Sequence, residues 1–316
     1  MSSFHRAIYL TGPTAVGKSA LGVALARRLG AEVIALDSMT LYRRLDIGTA
    51  KPTIEEQGGI PHHLIDVLEP SEGASVADYR RWAGDVLDRL GAAGRRGLFV
   101  GGTALYLKAL LRGLFDTPAV DPAVRADLER AADLGGDQAL HDRLRGVDPK
   151  SADRLHPNDR RRVIRALEVA LATGRPLSDH QVEHNRPAPP TVAVFALERP
   201  RLEVYDRINR RVEQMFADGL VAEVRGLRAE VPPISPVAAQ GVGYREVADL
   251  IDGRIDHRTA IALTQTRTRQ FAKRQATWFR GLVEVQPFPL VPGEPVHATV
   301  DRLITRIEAV EGGISM

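Results

Sequence analysis

The sequence contains no cysteine among its 316 residues. This absence excludes disulfide bonds, thiolate zinc sites and cysteine nucleophiles. Long apolar runs are also missing, since none approaches the roughly 20 residues of a membrane-spanning helix. The N-terminal residues lack the apolar body of a secretory signal, because the short apolar run that follows them breaks at Thr11-Gly12. We therefore expect a cytoplasmic protein without membrane association.

Aromatic residues and net charge are both low, at 5% and +3 respectively. Such a net charge is too small to indicate a nucleic-acid partner by itself, so the positions of the charges matter more than their sum. Hydrophobic residues make up 44% and charged residues 26% of the chain, which is the balance of an ordinary globular protein. The length is sufficient for one large domain or two medium ones.

What the sequence does contain is a glycine-rich stretch near its start, Gly12-Pro13-Thr14-Ala15-Val16-Gly17-Lys18-Ser19. It fits the pattern G-x-x-x-x-G-K-[ST] at every fixed position. The apolar residues 7–10 before it predict a buried strand, and the helical spacing of Leu21, Leu25 and Leu29 predicts a helix behind it. Strand, loop and helix in this order are the context that a phosphate-binding loop requires.

The chemistry of such a loop follows from its geometry. Gly12 and Gly17 let backbone N–H groups turn towards a ligand, and the helix N-terminus adds partial positive charge. Lys18 supplies a mobile positive charge for terminal phosphates, and the hydroxyl of Ser19 suits Mg²⁺. The sequence therefore predicts a site for a diphosphate or a triphosphate, without indicating which.

Two further apolar runs end in residues that carry chemistry. Residues 32–36 predict a short strand that ends at Asp37. Because ligands of open α/β sheets lie beyond the carboxyl ends of the strands, we expect Asp37 to face the phosphate site. A helix cap is the alternative, since Asp is a good cap residue. Residues 97–103 predict another buried strand, whose glycine turn places Thr103 at the N-terminus of a helix over 104–111.

Two adjacent histidines, His62 and His63, could suggest a metal site. Adjacent residues of a strand point to opposite faces, however, and no third ligand stands nearby in the sequence. We therefore expect a structural or hydrogen-bonded pair.

Residues 116–190 differ from the flanking segments, because helical patterns alternate there with Pro, Gly and Asp breaks and no strand is convincing. Within 143–175, nine Arg or Lys residues stand against four Asp or Glu residues. The centre of this basic region is the run from Arg160 to Arg165. Such a run is either a solvated helix face or a contact surface for a polyanion, and the sequence leaves both open.

The segment from Arg258 to Leu282 contains six Arg or Lys residues and no acid. Helical spacing places Phe271, Trp278 and Phe279 on one stripe, with cations on both flanks. We expect this helix to dock through its aromatic residues and to present its cations to phosphates, because a surface helix without such a function normally includes some Glu.

These pieces resemble the bacterial-type tRNA dimethylallyltransferase family, which is also called the tRNA isopentenyltransferase family. A phosphate-binding loop alone is shared with many kinases, whereas an ordered set of segments is specific. Thr40 stands at a position where the family often has Gln. The segments that carry the resemblance span nearly the whole chain in the family's order: Gly12–Ser19, Leu36–Ser38 with Tyr42, Asp46–Pro52, Pro61–Asp66, Gly101–Tyr106, Arg165–Val169, Gly241–Glu246 and Ala272–Arg280.

The resemblance implies an α/β fold with a P-loop NTPase-like core, in which a parallel sheet is flanked by helices. Residues 1–115 and 191–316 would form this catalytic core. Residues 116–190 would form an inserted all-helical domain for tRNA binding.

The resemblance also implies the transfer of a dimethylallyl group from dimethylallyl diphosphate to N6 of adenosine 37. The substrates would be tRNAs that read codons beginning with U, and the products N6-dimethylallyladenosine and diphosphate. Gly12–Ser19 would hold the diphosphate together with Mg²⁺, with Ser19 as the metal ligand, and Arg211 would reinforce it. Asp37 would accept the N6 proton and Thr103 would hydrogen-bond in the reacting centre.

The partner implied by the resemblance is the anticodon stem-loop of tRNA, bound by a monomer. The residues that match the family's tRNA contacts are Asp37, Ser38, Met39, Thr40, Thr103, Arg125, Arg161, Arg162, Arg165, Gln240, Gly241, Val242, Gly243, Tyr244, Arg245, Lys273, Arg274 and Arg280.

Two other classes of function are compatible with the residues alone. A small-molecule kinase would bind ATP at the phosphate-binding loop, would orient its substrate with Asp37 and would use the Arg-rich insertion as a lid. An RNA-binding NTPase switch fits the basic helices but lacks an obvious water-positioning residue.

Overall fold

The computed structural model describes residues 2–114, 121–183 and 186–313. Two compact units divide the chain: the larger is Met1–Leu111 with Ala188–Met316, and the smaller is Arg112–Pro187. The sequence places the limits of the helical insertion a few residues later on each side. Leu111 and Ala188 are both buried in the core of the larger unit, which explains where the observed boundary falls.

A parallel sheet forms the centre of the larger unit, with strand order β3-β2-β4-β1-β5-β6. Every residue of β1 and β2 is buried, as expected for strands that are covered on both faces. The sheet confirms the predicted α/β fold. Its strands are β1 (Ile8–Thr11), β2 (Ala31–Leu36), β3 (His62–His63), β4 (Arg96–Gly101), β5 (Val194–Glu198) and β6 (Gln286–Pro289).

Successive side chains of the strands enter two separate cores. Tyr9 and Phe99 stack at a centroid distance of 4.8 Å in one core, whereas Ile8 and Leu10 belong to the other. This division follows from the two-residue period of a strand. The carboxyl ends of β1, β2 and β4 are thereby held at one firmly packed edge of the sheet.

The helices cover the sheet and form the smaller unit. In the described part of the chain, none of them is long and apolar enough to cross a membrane. In chain order they are α1 (Lys18–Leu29), α2 (Val76–Ala92), α3 (Ala104–Arg112), α4 (Pro122–Val147), α5 (Pro149–Arg154), α6 (Arg160–Thr173), α7 (Leu177–Glu183), α8 (Arg201–Ala217), α9 (Leu220–Arg228), α10 (Tyr244–Ile251), α11 (His257–Arg280) and α12 (Val296–Glu311).

The smaller unit is helical wherever its regular structure is described, and it contains α4 to α7. Its core includes Leu128 and Leu144 from α4 and Val163 and Leu167 from α6. The chain direction changes within α4 at Gly136, whose φ of 81° and ψ of 164° are not helical. The unit therefore has an apolar core of its own.

The prediction that α11 docks through three aromatic residues is wrong for two of them. Phe279 is 2% exposed, but Phe271 and Trp278 are 37% and 48% exposed. The buried face instead consists of small and polar residues at helical spacing, whose polar groups find partners locally or on neighbouring loops. These residues are Ala260, Thr264, Thr268, Ala272 and Gln275, together with Phe279.

Candidate active site

The phosphate-binding loop connects β1 to α1 at the carboxyl edge of the sheet. Gly12 has a φ of 135° and Gly17 a φ of 110°, values that residues with a side chain rarely adopt. A Cβ atom at Gly12 would in addition lie 2.7 Å from the carbonyl oxygen of Leu197. Glycine is therefore required at this position by conformation and by space.

The loop borders a cavity of about 720 Å³. Lys18 and Ser19 line this cavity together with Asp37, so the structure confirms that the residue behind β2 faces the phosphate-binding loop. The same cavity also has apolar lining residues, which are Val33, Ala35, Ile65 and Val100. It can accordingly hold a ligand that has both a charged and an apolar part.

The ammonium group of Lys18 turns back into the loop. Its Nζ donates hydrogen bonds to the carbonyl oxygens of Gly12 at 3.0 Å and Pro13 at 2.8 Å. Burial lowers the pKa of Lys18 to about 8, against the effect of Asp37, and Arg211 lowers it further. A desolvated cation whose partners are neutral carbonyls gains strongly when an anionic phosphate arrives.

Three arginines donate hydrogen bonds to the backbone or side chains of the loop. Arg207 of α8 donates from Nε to the carbonyl of Ala15 at 2.7 Å, and Arg211 of the same helix donates to Oγ1 of Thr14 at 2.6 Å. Arg199 donates to the carbonyl of Val16 at 2.9 Å. The sequence predicted a role only for Arg211.

Arg207 and Arg211 could have been recognised as a pair from their spacing. Residues four apart lie on one face of a helix, and both side chains line the cavity, as does Arg210. Burial lowers the pKa of both Arg207 and Arg211, and repulsion from neighbouring arginines lowers each of them further. The cavity is therefore strongly electropositive around the loop.

The carboxylate of Asp37 is fixed by the turn behind β2. Its Oδ1 accepts a hydrogen bond from the backbone N–H of Met39 at 2.8 Å. Because this turn does not start a helix, the helix-cap alternative does not apply. Burial raises the pKa of Asp37, although the bond from Met39 and the charge of Lys18 oppose the increase. A carboxylate with a raised pKa is a better proton acceptor near neutral pH.

Thr103 lies beside this turn. Its Oγ1 accepts a hydrogen bond from the backbone N–H of Ser38 at 3.1 Å, and its own N–H donates to the carbonyl of Leu36 at 3.1 Å. A Cβ atom at Gly101 would lie 2.1 Å from that same carbonyl oxygen. The ends of β2 and β4 can approach this closely because residue 101 is glycine, and Ser38 and Thr103 are thereby brought into contact.

Thr40 also lines the cavity. Its Oγ1 is buried and has no hydrogen-bond partner among the described residues. An unsatisfied buried hydroxyl in a cavity is available to a ligand.

The predicted segment Gln240 to Arg245 packs against the turn behind β2. A Cβ atom at Gly241 would lie 2.8 Å from Cε of Met39. Gln240 and Arg245 are exposed. The structure thus brings this segment next to the residues that follow Asp37, although the two are about 200 positions apart in the sequence.

Tyr244 supports these loops from within. It is 3% exposed, and its hydroxyl donates to Glu223 at 2.7 Å. The same carboxylate accepts the backbone N–H groups of residues 46–48 at 3.0, 2.7 and 3.1 Å. A Cβ atom at Gly48 would lie 2.6 Å from the Tyr244 ring. Two of the segments that carry the family resemblance, Asp46–Pro52 and Gly241–Glu246, therefore pack against each other.

The histidine pair is hydrogen-bonded, as predicted. His63 contacts the carboxylate of Glu32 at 2.5 Å, and Nδ1 of His62 contacts the carbonyl of Ile60 at 2.8 Å. In the part of the chain that the structure describes, no three His, Cys, Asp or Glu residues cluster as metal ligands.

The lining of the cavity is compatible with Mg²⁺. The hydroxyl of Ser19, an oxygen of the kind that Mg²⁺ binds, lines it. Mg²⁺ in phosphate sites is typically held by one or two protein oxygens, substrate phosphates and waters. A site of this kind needs no larger protein ligand cluster.

The cations Lys273, Arg274 and Arg280 are exposed on α11. Arg274 lies over the ring of Phe271 at 6.0 Å, and Nε of Arg280 donates to the carbonyl of Ala276 at 3.3 Å. Arg267, bound to Glu246, is the one cation of α11 with an ion pair among the described residues. This helix therefore presents largely uncompensated positive charge.

The predicted cations of the smaller unit are mostly paired. Arg125 binds the buried carboxylate of Glu168 through two hydrogen bonds of 2.6 and 3.0 Å, and Arg165 approaches it at 3.4 Å. Arg162 is paired with Asp159. Arg161 has no ion pair within the described ranges.

A glycine-rich loop and a carboxylate that meet at the carboxyl edge of a parallel sheet are typical of α/β enzymes that act on phosphorylated ligands. The family model described as IPP transferase matches residues 40–282. The chain therefore belongs to the IPP transferase family, as the resemblance predicted, and is a prenyltransferase.

Individual relatives agree with this assignment. The chain is 48% identical over 276 residues to tRNA dimethylallyltransferase 1 of Trichlorobacter lovleyi, covering 87% of this chain and 90% of the relative. It is 42% identical over 309 residues to tRNA dimethylallyltransferase of Geobacillus thermodenitrificans, covering 96% of each. The crystal structure of tRNA isopentenylpyrophosphate transferase from Bacillus halodurans aligns with a TM-score of 0.70 and 39% identity, over 98% of both chains.

Proposed function

We propose that this enzyme transfers the dimethylallyl group of dimethylallyl diphosphate to N6 of adenosine 37 in tRNAs that read codons beginning with U. The observation that carries the proposal is the composition of the cavity. It combines a phosphate-binding loop, apolar residues such as Val33 and Val100, and the carboxylate of Asp37. A diphosphate, a five-carbon allyl group and a weakly acidic amine each find a matching surface there.

In this reaction the bond from N6 to the allylic carbon forms while the bond from that carbon to the diphosphate oxygen breaks. Diphosphate leaves with the electron pair, so negative charge grows on its oxygen atoms. Lys18 and Arg211 line the cavity, and together with the N–H groups at the start of α1 they are proposed to stabilise this charge in the transition state.

The amine loses a proton as the new bond forms. Asp37 is the proposed acceptor, because burial raises its pKa and it lines the same cavity as the phosphate-binding loop. Thr103 is proposed to hydrogen-bond in the reacting centre, since its hydroxyl lies at the turn that follows Asp37.

We propose Mg²⁺ as the cofactor, with Ser19 as its protein ligand and substrate phosphates as further ligands. When bound, it would neutralise part of the charge of the leaving diphosphate.

The proposed acceptor is the anticodon stem-loop of tRNA, whose adenosine must leave the base stack to reach the cavity. Exposed cations of α11 and the segment 240–245 would contact it in the larger unit. Arg125, Arg161, Arg162 and Arg165 are proposed contacts in the smaller unit. A monomer in the cytoplasm is proposed, because one chain supplies every assigned residue of the cavity and the substrate is tRNA.

The test is to incubate the protein with each candidate substrate separately and together. Unmodified tRNA with dimethylallyl diphosphate should release diphosphate and give tRNA heavier by one dimethylallyl group at adenosine 37, measured by mass spectrometry of nuclease fragments. ATP with tRNA should give no phosphorylated product. Phosphate transfer from ATP, without prenylation, would instead support the kinase.

A further inference from the structure

The side chain of Gln275 connects the two halves of the cavity. It lies on the buried face of α11 and is 5% exposed. Its Oε1 accepts the backbone N–H of Thr14 in the phosphate-binding loop at 2.8 Å, and its Nε2 donates to the carbonyl of Gly102 at 2.8 Å. The oxygen of this amide therefore bonds to the phosphate-binding loop, which we call the diphosphate side of the cavity. Its NH₂ group bonds to the segment that leads to Thr103, on the side of Asp37.

On the diphosphate side, Gln275 and Lys18 both bind the peptide group between Pro13 and Thr14. The N–H of Thr14 and the carbonyl of Pro13 belong to one peptide plane. Gln275 accepts from its N–H, while Nζ of Lys18 donates to its oxygen at 2.8 Å. The hydroxyl of Thr14 also accepts from Arg211. The orientation of this one peptide therefore affects the positions of two phosphate-binding cations.

On the acceptor side, Gln275 is connected to Asp37 by consecutive peptide groups. The carbonyl of Gly102 belongs to the same peptide as the N–H of Thr103, and that N–H donates to the carbonyl of Leu36 at 3.1 Å. The carbonyl of Leu36 belongs to the peptide that leads into Asp37. The chain of contacts thus ends at the residue that carries the carboxylate.

The space around Gly102 supports a close fit of this amide. A Cβ atom at Gly102 would lie 2.4 Å from Nε2 of Gln275. An alanine there would displace the Gln275 amide, because an approach this short is not tolerated.

We propose that Gln275 is a positioning residue, which sets the separation between the phosphate-binding loop and the turn that carries Asp37. This inference rests on the proposed transferase function. Misplacing two reactants by about 1 Å can lower a rate by about 10²-fold while both still bind. Loss of the Gln275 amide should therefore affect the bond-forming step more than the affinity for either substrate.

The test uses Gln275→Met, which keeps the length of the side chain but removes both hydrogen bonds. We expect the single-turnover rate at saturating tRNA and dimethylallyl diphosphate to fall by about 10- to 100-fold. The dissociation constants of inorganic diphosphate and of the anticodon stem-loop should each change less than about threefold. The matched control is Gln270→Met on the exposed face of the same helix, which should behave like the unmodified protein.

Gly102→Ala tests the same contact from its other side and serves if Gln275→Met does not fold. It should lower the single-turnover rate in the same way. In a Gln275→Ala background the added methyl group has space. Gly102→Ala should therefore lower the single-turnover rate of that variant by less than about threefold.

The proposal is overturned if Gln275→Met retains the rate of the Gln270→Met control, or if the loss disappears at saturating substrates. It is also overturned if stem-loop affinity and thermal stability fall in parallel with the rate, since a purely structural residue of α11 would produce that pattern. Absence of prenyl transfer by the unmodified protein would instead refute the proposed function.

Discussion

The cavity of the larger unit and the basic helix of the smaller unit use cations in opposite ways. Around the phosphate-binding loop, Lys18, Arg207 and Arg211 donate to neutral oxygen atoms. On α6, in contrast, Arg160 is paired with Asp133 and Asp137 at 2.6 and 2.7 Å. The other arginines of α6 for which an ion pair is described also use carboxylates of their own unit.

This difference is reflected in the cost of holding the charges. Burial lowers the pKa of Lys18, Arg207 and Arg211, which shows that their charged forms are disfavoured until an anion arrives. The three paired arginines of α6, which are Arg160, Arg162 and Arg165, meet carboxylates before any partner binds. An Arg count along the sequence does not distinguish these two situations, and the following experiments would sharpen or break the comparison.

The largest expected effect is that of Asp37→Asn, which removes the negative charge that lines the cavity together with Lys18. If Asp37 is the general base, the single-turnover rate should fall by about 10²- to 10⁴-fold. Binding of dimethylallyl diphosphate and tRNA should be nearly normal, so the loss appears in kcat. The measurement is donor affinity and single-turnover rate across a series of Mg²⁺ concentrations. If added Mg²⁺ restores the rate, Asp37 is a ligand of Mg²⁺ and not the general base.

Lys18→Met should lower kcat/KM for dimethylallyl diphosphate by about 10²-fold, because an oriented charge for the leaving diphosphate is lost. The same change should stabilise the fold. The pKa of Lys18 falls from 10.5 to about 8 on folding, so its charged form costs stability at pH 7, and this cost disappears as the pH rises from about 8 to above 10.5.

Because Lys18 is only partly buried, the gain is discounted for solvent screening to roughly 1 kcal/mol, or about 2 °C in Tm. Calorimetry and steady-state kinetics measure the two effects. A variant that loses activity and stability together would show that Lys18 holds the loop rather than a phosphate.

The pKa of Lys18 also predicts a pH profile. With saturating tRNA, kcat/KM for dimethylallyl diphosphate should fall as the pH rises above about 8, since the enzyme without dimethylallyl diphosphate then loses the charge of Lys18. Lys18→Arg provides the control, because a guanidinium stays charged throughout this range. An alkaline limb that is unchanged in Lys18→Arg would assign the limb to another group.

The smallest effects concern the two basic helices. Neutralising Lys273 and Arg274 together to Gln should make the slope of log K for tRNA against log salt shallower by roughly two units, if both bind phosphates. Neutralising Arg161 and Arg162 should change the slope less, because Arg162 is already paired with Asp159. Slopes are measured by filter binding at several salt concentrations. Equal changes would show that the ion pairs of α6 open when tRNA binds.

Much of the fold and part of the site could be predicted because they depend on short-range pattern. The phosphate-binding loop is a local signal, since its glycines, Lys18 and Ser19 lie within eight consecutive residues that lead from a strand into the first turn of a helix. The position of Asp37 also follows from a local rule, because the carboxyl ends of parallel strands share one edge. The ordered family segments predicted the family, which the IPP transferase match confirms.

Long-range pairing decided the rest. Gln275 and Thr14 are 261 positions apart, and no periodicity indicates that this amide lies on the phosphate-binding loop. Phe271 and Trp278 are likewise exposed although both are hydrophobic. Helix α11 instead buries the face with Thr264 and Thr268, whose hydroxyls donate hydrogen bonds to carbonyls of the same helix.

By itself the sequence determined which elements form, where a phosphate would bind and to which family the chain belongs. The tertiary structure decided which charges remain available for a ligand. Arg211 and Arg160 are the same residue type on amphipathic helices, but one meets a threonine hydroxyl and the other meets two carboxylates. The physical reason is that local conformation depends on neighbours in the chain, whereas desolvation and charge pairing depend on neighbours in space.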